Sequence, residues 1–98
     1  MRVTFTGTVI EWRGPAPFFF VPVLETARKV IADAAYLLTY GWGVIPVVAT
    51  IGRTTWTTSL FPKDGTYLVP IKAAVRTAEG IGLDDDVTVE LGLGADGD

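Results

Sequence analysis

Three charged residues, Lys72, Arg76 and Glu79, are spaced so that a helix would present them together. Side chains three or four positions apart are neighbours on a helix surface. An arginine there can bind a phosphate or a carboxylate through two parallel hydrogen bonds, and a lysine adds a point charge. The face is then an anion-binding surface that contacts its ligand through Lys72 and Arg76. The alternative is the solvated outer face of an ordinary amphipathic helix.

A second group of candidates consists of aromatic and cationic residues in or near predicted turns. Such side chains can stack on nucleotide bases or other planar ligands. Large rings also commonly close the ends of a small β-barrel, which is the structural alternative. The group comprises Trp12, Arg13, Tyr40, Trp42 and Trp56. Taken with the helix pair, the residues predicted to contact a ligand are Lys72, Arg76, Lys63, Arg13, Trp42 and Trp56.

The composition excludes most catalytic and metal chemistry. The chain has no cysteine and no histidine, which removes disulfides, thiolate nucleophiles, imidazole bases and the metal sites built from those ligands. Asp84-Asp85-Asp86 lacks the alternating acids, the glycine and the final glutamate of a calcium loop. Ser59 and Lys63 are close in sequence but lack the helical Ser-x-x-Lys context of a catalytic pair. We predict no metal, no cofactor and no catalytic residue; the alternative is an enzyme that uses carboxylate, Lys and Tyr side chains.

Charge is distributed unevenly along the 98 residues. Residues 84 to 98 hold six acidic residues and no basic one, whereas residues 1 to 83 hold all eight basic residues and a net charge of +3. The overall charge of −3 disfavours a general nucleic-acid binder but allows a local basic patch. The expected partner is a protein or a small anionic ligand, bound by a monomer or a homodimer.

No segment is predicted to enter a membrane or to direct export. The most apolar stretch, residues 15 to 24, contains three prolines, whereas a spanning helix needs about 20 uninterrupted apolar residues. Met1 and Arg2 lead directly into a strand-like alternation, without the apolar centre of a signal peptide. We expect a soluble, cytoplasmic domain.

Strand patterns dominate the sequence. Val3, Phe5 and Val9 alternate with threonines, which is typical of a half-buried strand. The β-branched run at 44–51 suits a strand buried on both faces, and Gly52 follows it where a type II′ hairpin turn requires glycine. Strands are predicted at 3–12, 18–21, 44–51, 54–61, 66–69 and 87–93.

Two helices are predicted, each opened by a proline. Pro22 and Pro70 are expected at the first helical position, where a missing N–H costs nothing. The first helix either extends to about residue 38 or gives way earlier to a packed loop, and Gly80 should end the second. The predicted apolar faces are Val23, Ala27, Val30, Ile31 and Ala34 in the first helix, and Ile71, Ala74, Val75 and Ala78 in the second.

The two halves of the chain resemble each other. Val21-Pro22 matches Val69-Pro70, and Arg28 and Arg76 each follow their proline by six residues. The chain is therefore predicted to contain two β-β-α-β units that build one pseudo-two-fold barrel over residues 1–93, followed by a flexible acidic tail at 94–98. Chance recurrence of short Val-Pro junctions is the alternative.

These residues carry a family resemblance over nearly the whole chain. The sequence resembles the domain of unknown function 1905, and the resemblance implies a small double-split β-barrel, a fold shared with the AbrB-like and MazE-like DNA-binding regulators. Nucleic-acid binding is thus an alternative function, although a shared fold does not carry function with it. The usual Gly-Asp before the last strand is Asp85-Asp86 here, and the acidic balance suits such regulators poorly. The segments that carry the resemblance are Trp12-Arg13-Gly14-Pro15, Tyr40-Gly41-Trp42-Gly43-Val44-Ile45-Pro46-Val47, Ile51-Gly52, Ser59-Leu60-Phe61-Pro62-Lys63-Asp64-Gly65, Tyr67-Leu68-Val69-Pro70-Ile71-Lys72 and Val75-Arg76.

The sequence alone therefore favours a mostly β domain that binds a partner or acts as a scaffold, without catalysis.

Overall fold

The computed structural model describes residues 2–12, 18–38, 45–63 and 65–93, and for 34–38 the backbone only. As predicted, the domain is mostly β with two short helices. In chain order the elements are β1 (Arg2–Thr8), β2 (Ile10–Trp12), β3 (Phe18–Pro22), α1 (Glu25–Leu38), β4 (Ile45–Ile51), β5 (Thr54–Lys63), β6 (Thr66–Ile71), α2 (Ala73–Glu79) and β7 (Asp86–Leu93).

The seven strands form one antiparallel sheet that curls into a half-barrel. Its order is β1-β7-β4-β5-β6-β3-β2. Two pairings, β3 with β6 and β4 with β7, join strands at corresponding places in the two halves of the chain. A duplicated β-β-α-β unit would produce such pairings; the duplication itself and the double-split barrel remain predictions.

The first predicted strand is divided into β1 and β2 at Val9. The Val9 N–H donates to the Asp85 carbonyl oxygen over 2.8 Å, and the Asp84 N–H donates to the Val9 carbonyl oxygen over 3.0 Å. Because both backbone groups of Val9 bond to the segment before β7, the strand changes partner there. β1 pairs with β7, and β2 pairs with β3.

The core lies inside the curl of the sheet. On β1, Val3 and Phe5 are buried while the alternating threonines are exposed, as predicted. β4 alternates buried with half-buried residues, so the expectation that both its faces are buried was wrong. At Gly7 a Cβ atom would lie 2.7 Å from Val21 Cγ1, which shows that β1 and β3 approach too closely for a side chain there.

Both helices begin later than predicted. Pro22 ends β3 and Pro70 lies within β6, so α1 begins at Glu25 and α2 at Ala73. The fixed φ of proline suits a strand end as well as a helix start, and pairing with the opposite strand decides between them. α1 continues to Leu38, the longer of the two alternatives.

The predicted apolar helix faces are only partly buried. Val23, Ala27 and Ile31 are buried, whereas Val30 is exposed. In α2 the buried residue is Val75, and Ala74 and Ala78 are exposed because this short helix touches the sheet along a narrow line. The Ala34 side chain lies outside the described part. Gly80 ends α2 in the left-handed conformation, with φ 64°, as predicted.

Candidate functional site

A cavity of about 410 Å³ lies where β3 and the end of β6 meet the start of α2. Its polar lining residues are Thr58, Lys72 and Arg76. The other described residues of the wall are apolar: Phe18, Phe19, Phe20, Pro70, Ile71 and Ala73. The volume is at the small end of the range for ligand pockets, about 300 to 1,000 Å³. The cavity therefore has the size for one small molecule.

Arg76 is half-buried in the wall of this cavity. Its guanidinium carbon lies 3.8 Å from the centroid of the Phe19 ring, so one face of the guanidinium is covered by the aromatic face. Its Nε atom is buried and has no hydrogen-bond partner among the described residues. A buried donor without an acceptor costs about 1 to 3 kcal/mol. Such a group is a candidate for a bond to a ligand.

The backbone around α2 fixes the position of Arg76. Its N–H donates to the Lys72 carbonyl oxygen over 3.1 Å, and the Ile81 N–H donates to the Arg76 carbonyl oxygen over 2.9 Å. Lys72 itself is the extended residue before the helix, with φ −69° and ψ 151°. Its side chain is exposed and lines the same cavity. The structure thus brings the two predicted anion contacts, Lys72 and Arg76, to one site.

Glu79 does not share this site, contrary to the prediction. It is half-buried and accepts a hydrogen bond of 2.6 Å from Thr54 Oγ1. Its carboxylate lies against the turn at Gly52. Helical spacing alone predicts that Glu79 lies on the same surface as Lys72 and Arg76. Its hydrogen bond from Thr54 instead places it beside the β4–β5 hairpin. Among the described residues no carboxylate lines the cavity, so its two positive charges are not neutralised locally.

Trp56 belongs to the core and supports the site from behind. Only 7% of its surface is exposed, and its indole Nε1–H donates to the Pro70 carbonyl oxygen over 3.2 Å. Trp56 is not among the described residues that line the cavity. Its hydrogen bond instead fixes the junction of β6 and α2, immediately before Lys72.

Lys63 lies at a different cavity, of about 320 Å³. Its Nζ atom is 3.9 Å from the centroid of the Trp12 ring, which is 44% exposed. This second wall is mainly apolar and includes Ile10 and Leu68. The described candidates thus lie in three places: Lys72 and Arg76 at the first cavity, Lys63 at the second, and Trp56 in the core. Arg13, Trp42 and Tyr40 lie outside the described residues.

Two other sequence features have local structural partners. Asp85 Oδ2 accepts from the Gly82 N–H over 2.7 Å, and Asp86 Oδ1 accepts from the Thr8 hydroxyl over 2.6 Å. In the described ranges, no three acidic side chains converge into a metal-binding group. Arg28, the predicted counterpart of Arg76, instead pairs with Glu25 over 3.8 Å.

No described helix is long and apolar enough to cross a membrane.

Sequence reasoning missed the aromatic part of the site. Phe18, Phe19 and Phe20 were predicted only as a strand, yet all three line the cavity. Three consecutive aromatic residues in a strand cannot all face one core, since side chains alternate between the two faces. The three consecutive aromatic residues therefore indicated that at least one ring is exposed, and Phe18 is 60% exposed. Thr58 gave no comparable signal because it is one of several threonines on β5.

A family model described as a domain of unknown function (DUF1905) matches residues 5–91. The match includes every described residue that lines the cavity. A search of curated proteins found no match to the chain.

Proposed function

We propose that this chain, which belongs to the DUF1905 family, is a binding module that holds a small anionic ligand between β3 and α2. The proposal depends on the buried Nε of Arg76, a donor that has no acceptor among the described residues. An oxyanion that enters the cavity supplies the missing acceptor. Such charge-assisted bonds are stronger than neutral ones, contributing about 1.5 to 3 kcal/mol each.

The charges of the site support an anion in preference to a cation. Lys72 and Arg76 both line the cavity, and none of the described lining residues is acidic. The apolar remainder of the wall lowers the local dielectric, which strengthens the attraction between these cations and a bound anion. The overall charge of −3 does not oppose this attraction at short range, since distant exposed charges are screened beyond about 8 to 10 Å.

The proposal is binding without catalysis. Arginine does not lose its proton in proteins, and threonine needs a neighbouring base to act as a nucleophile. No such base is among the described residues that line the cavity. The proposal also assigns the module to the cytoplasm, which agrees with its lack of cysteine, because small secreted domains are commonly rich in disulfides.

Titration of the ¹⁵N-labelled chain with acetate, benzoate and inorganic phosphate, followed by NMR, tests the proposal. At least one anion should shift the amide signals of residues 70–76. Arg76→Gln should weaken that binding tenfold or more, whereas Arg53→Gln, which removes an exposed arginine from the β4–β5 turn, should leave it unchanged. Saturation by none of the three, or equal effects of the two substitutions, would overturn the proposal.

A further inference from the structure

We infer that the ligand is an aromatic carboxylate, held by Arg76 at its carboxylate and by Phe18 at its ring. This inference rests on the proposed function, and it adds the chemical class of the ligand. Three properties of the cavity support it. They are the position of the Arg76 guanidinium against Phe19, the exposure of the Phe18 ring, and the volume of a cavity with a largely apolar wall.

The guanidinium of Arg76 is prepared for an in-plane partner. Its central carbon lies 3.8 Å from the centroid of the Phe19 ring. The donors of a planar guanidinium point outward in its own plane, so a ligand meets them at its edges. The side edge joins Nε to one terminal nitrogen, and a planar carboxylate fits that edge with two parallel hydrogen bonds. Nε is buried, so the guanidinium must turn slightly toward the cavity for this contact. After this small rotation, the carboxylate of the ligand accepts a hydrogen bond from Nε.

Phe18 supplies a surface for a ring. It is 60% exposed and, although its side chain alternates with that of Phe19, it lines the same cavity because it is the first residue of β3, at the end of the strand. Its ring is tilted by 37° against Phe20, with 6.4 Å between centroids, and Phe20 in turn meets Phe61 edge to face at 5.2 Å. These contacts hold the ring from behind. An aromatic ligand that packs against its free side gains the offset or edge contacts that aromatic pairs prefer, beyond simple apolar burial.

The cavity limits the ligand in size and charge. About 410 Å³ accommodates one or two rings with a short acidic group. A carboxylate carries one negative charge into a mainly apolar wall, whereas a phosphate ester carries nearly two and costs more to remove from water. Lys72, exposed at the edge, adds attraction without a fixed geometry. Benzoate and 2-naphthoate therefore represent the expected class.

Four probes separate this inference from the proposed function: benzoate, cyclohexanecarboxylate of nearly equal size, acetate and phenyl phosphate. Dissociation constants from NMR titration of the full chain should place benzoate two- to tenfold tighter than cyclohexanecarboxylate. Acetate should bind more weakly than both, and phenyl phosphate more weakly than benzoate. Phe18→Leu should remove the preference for the aromatic ring, so that benzoate and cyclohexanecarboxylate bind with equal affinity.

Leu83→Ala is the control, because Leu83 is an exposed apolar residue that is not among the described residues lining either cavity. It should leave all four dissociation constants unchanged. Equal affinity for benzoate and cyclohexanecarboxylate, an unaltered preference in Phe18→Leu, or tighter binding of phenyl phosphate would overturn the inference while the proposed anion site stands. Absence of any binding that depends on Arg76 would overturn both.

Discussion

Arg76 of α2 stacks on Phe19 of β3, with 3.8 Å between the guanidinium carbon and the ring centroid. The contact joins elements that are distant in sequence and places a cation against an apolar wall. Arg76 is therefore both a packing residue and the proposed ligand contact. Stability and binding must be measured separately in any variant of this residue.

Substitutions at Arg76 and Lys72 should differ in their effect on stability. A partly buried cation–π contact contributes about 0.5 to 2 kcal/mol, so a double-mutant cycle of Arg76→Ala with Phe19→Leu should give a coupling energy of about that size in the free energy of unfolding. Lys72→Ala should change it by less than about 0.5 kcal/mol, since the side chain is exposed. Urea denaturation measures both. A coupling energy near zero would show that the stacking contributes nothing.

Gly52 and Gly65 should respond differently to alanine. Both are left-handed, with φ 58° and 81°, so each substitution carries a similar backbone cost of about 1 kcal/mol. At Gly52 the new Cβ would also meet the Glu79 carboxylate, whereas at Gly65 no described residue lies within 4 Å of it. The flexible Glu79 side chain can move aside only if it gives up its hydrogen bond from Thr54. Gly52→Ala should therefore be more destabilising by about 0.5 to 1.5 kcal/mol. Equal losses in thermal or urea denaturation would contradict the placement of Glu79.

The bond between Thr54 and Glu79 provides a second test of that placement. Thr54 Oγ1 donates to Glu79 Oε2 over 2.6 Å in a partly buried setting. Thr54→Val should cost about 1 to 2 kcal/mol, because the carboxylate loses a donor. Thr57→Val on the same strand is the control, since Thr57 is exposed. A double-mutant cycle with Glu79→Ala should give a coupling energy clearly above zero; a value near zero would show no interaction.

Trp56→Phe should affect the ligand site indirectly. The substitution removes the hydrogen bond to the Pro70 carbonyl oxygen, which is 3.2 Å long, and leaves that oxygen without its donor. We expect a loss of about 1 to 2 kcal/mol in stability. Because Pro70 lines the cavity, anion affinity should fall severalfold with the fold retained. Unchanged affinity in a folded variant would show that the junction is fixed by other contacts.

Local rules predicted the parts of the fold that depend on neighbouring residues. The alternation of Val3 and Phe5 with threonines gave the buried face of β1, and Gly80 gave the end of α2. The helix starts were predicted too early, because the proline φ near −65° suits a strand as well as the first turn of a helix. Pairing across the sheet, such as Phe20 with Pro70, decides the outcome and is invisible to local pattern.

Of the residues that line the candidate site, the sequence indicated only the two charged ones. Helical spacing brought Lys72 and Arg76 together correctly, since they are separated by one turn. The same spacing misplaced Glu79, whose partner Thr54 lies 25 positions away. The phenylalanine wall and the hydrogen bond from Trp56 to the Pro70 carbonyl oxygen depend on contacts between segments that are distant in sequence. Such contacts form through tertiary packing and produce no periodic pattern in the sequence.

The Nε–H signal of Arg76 in a ¹H–¹⁵N spectrum reports whether the buried donor bonds to the ligand, and its loss in Arg76→Gln identifies it. During a titration with benzoate, this signal should move downfield and saturate together with the amide signals of Phe19 and Lys72, because the buried donor gains an oxyanion acceptor. A signal that stays fixed while benzoate saturates the chain, with shifts confined to Trp12 and Lys63 at the other cavity, would contradict the proposed anion site.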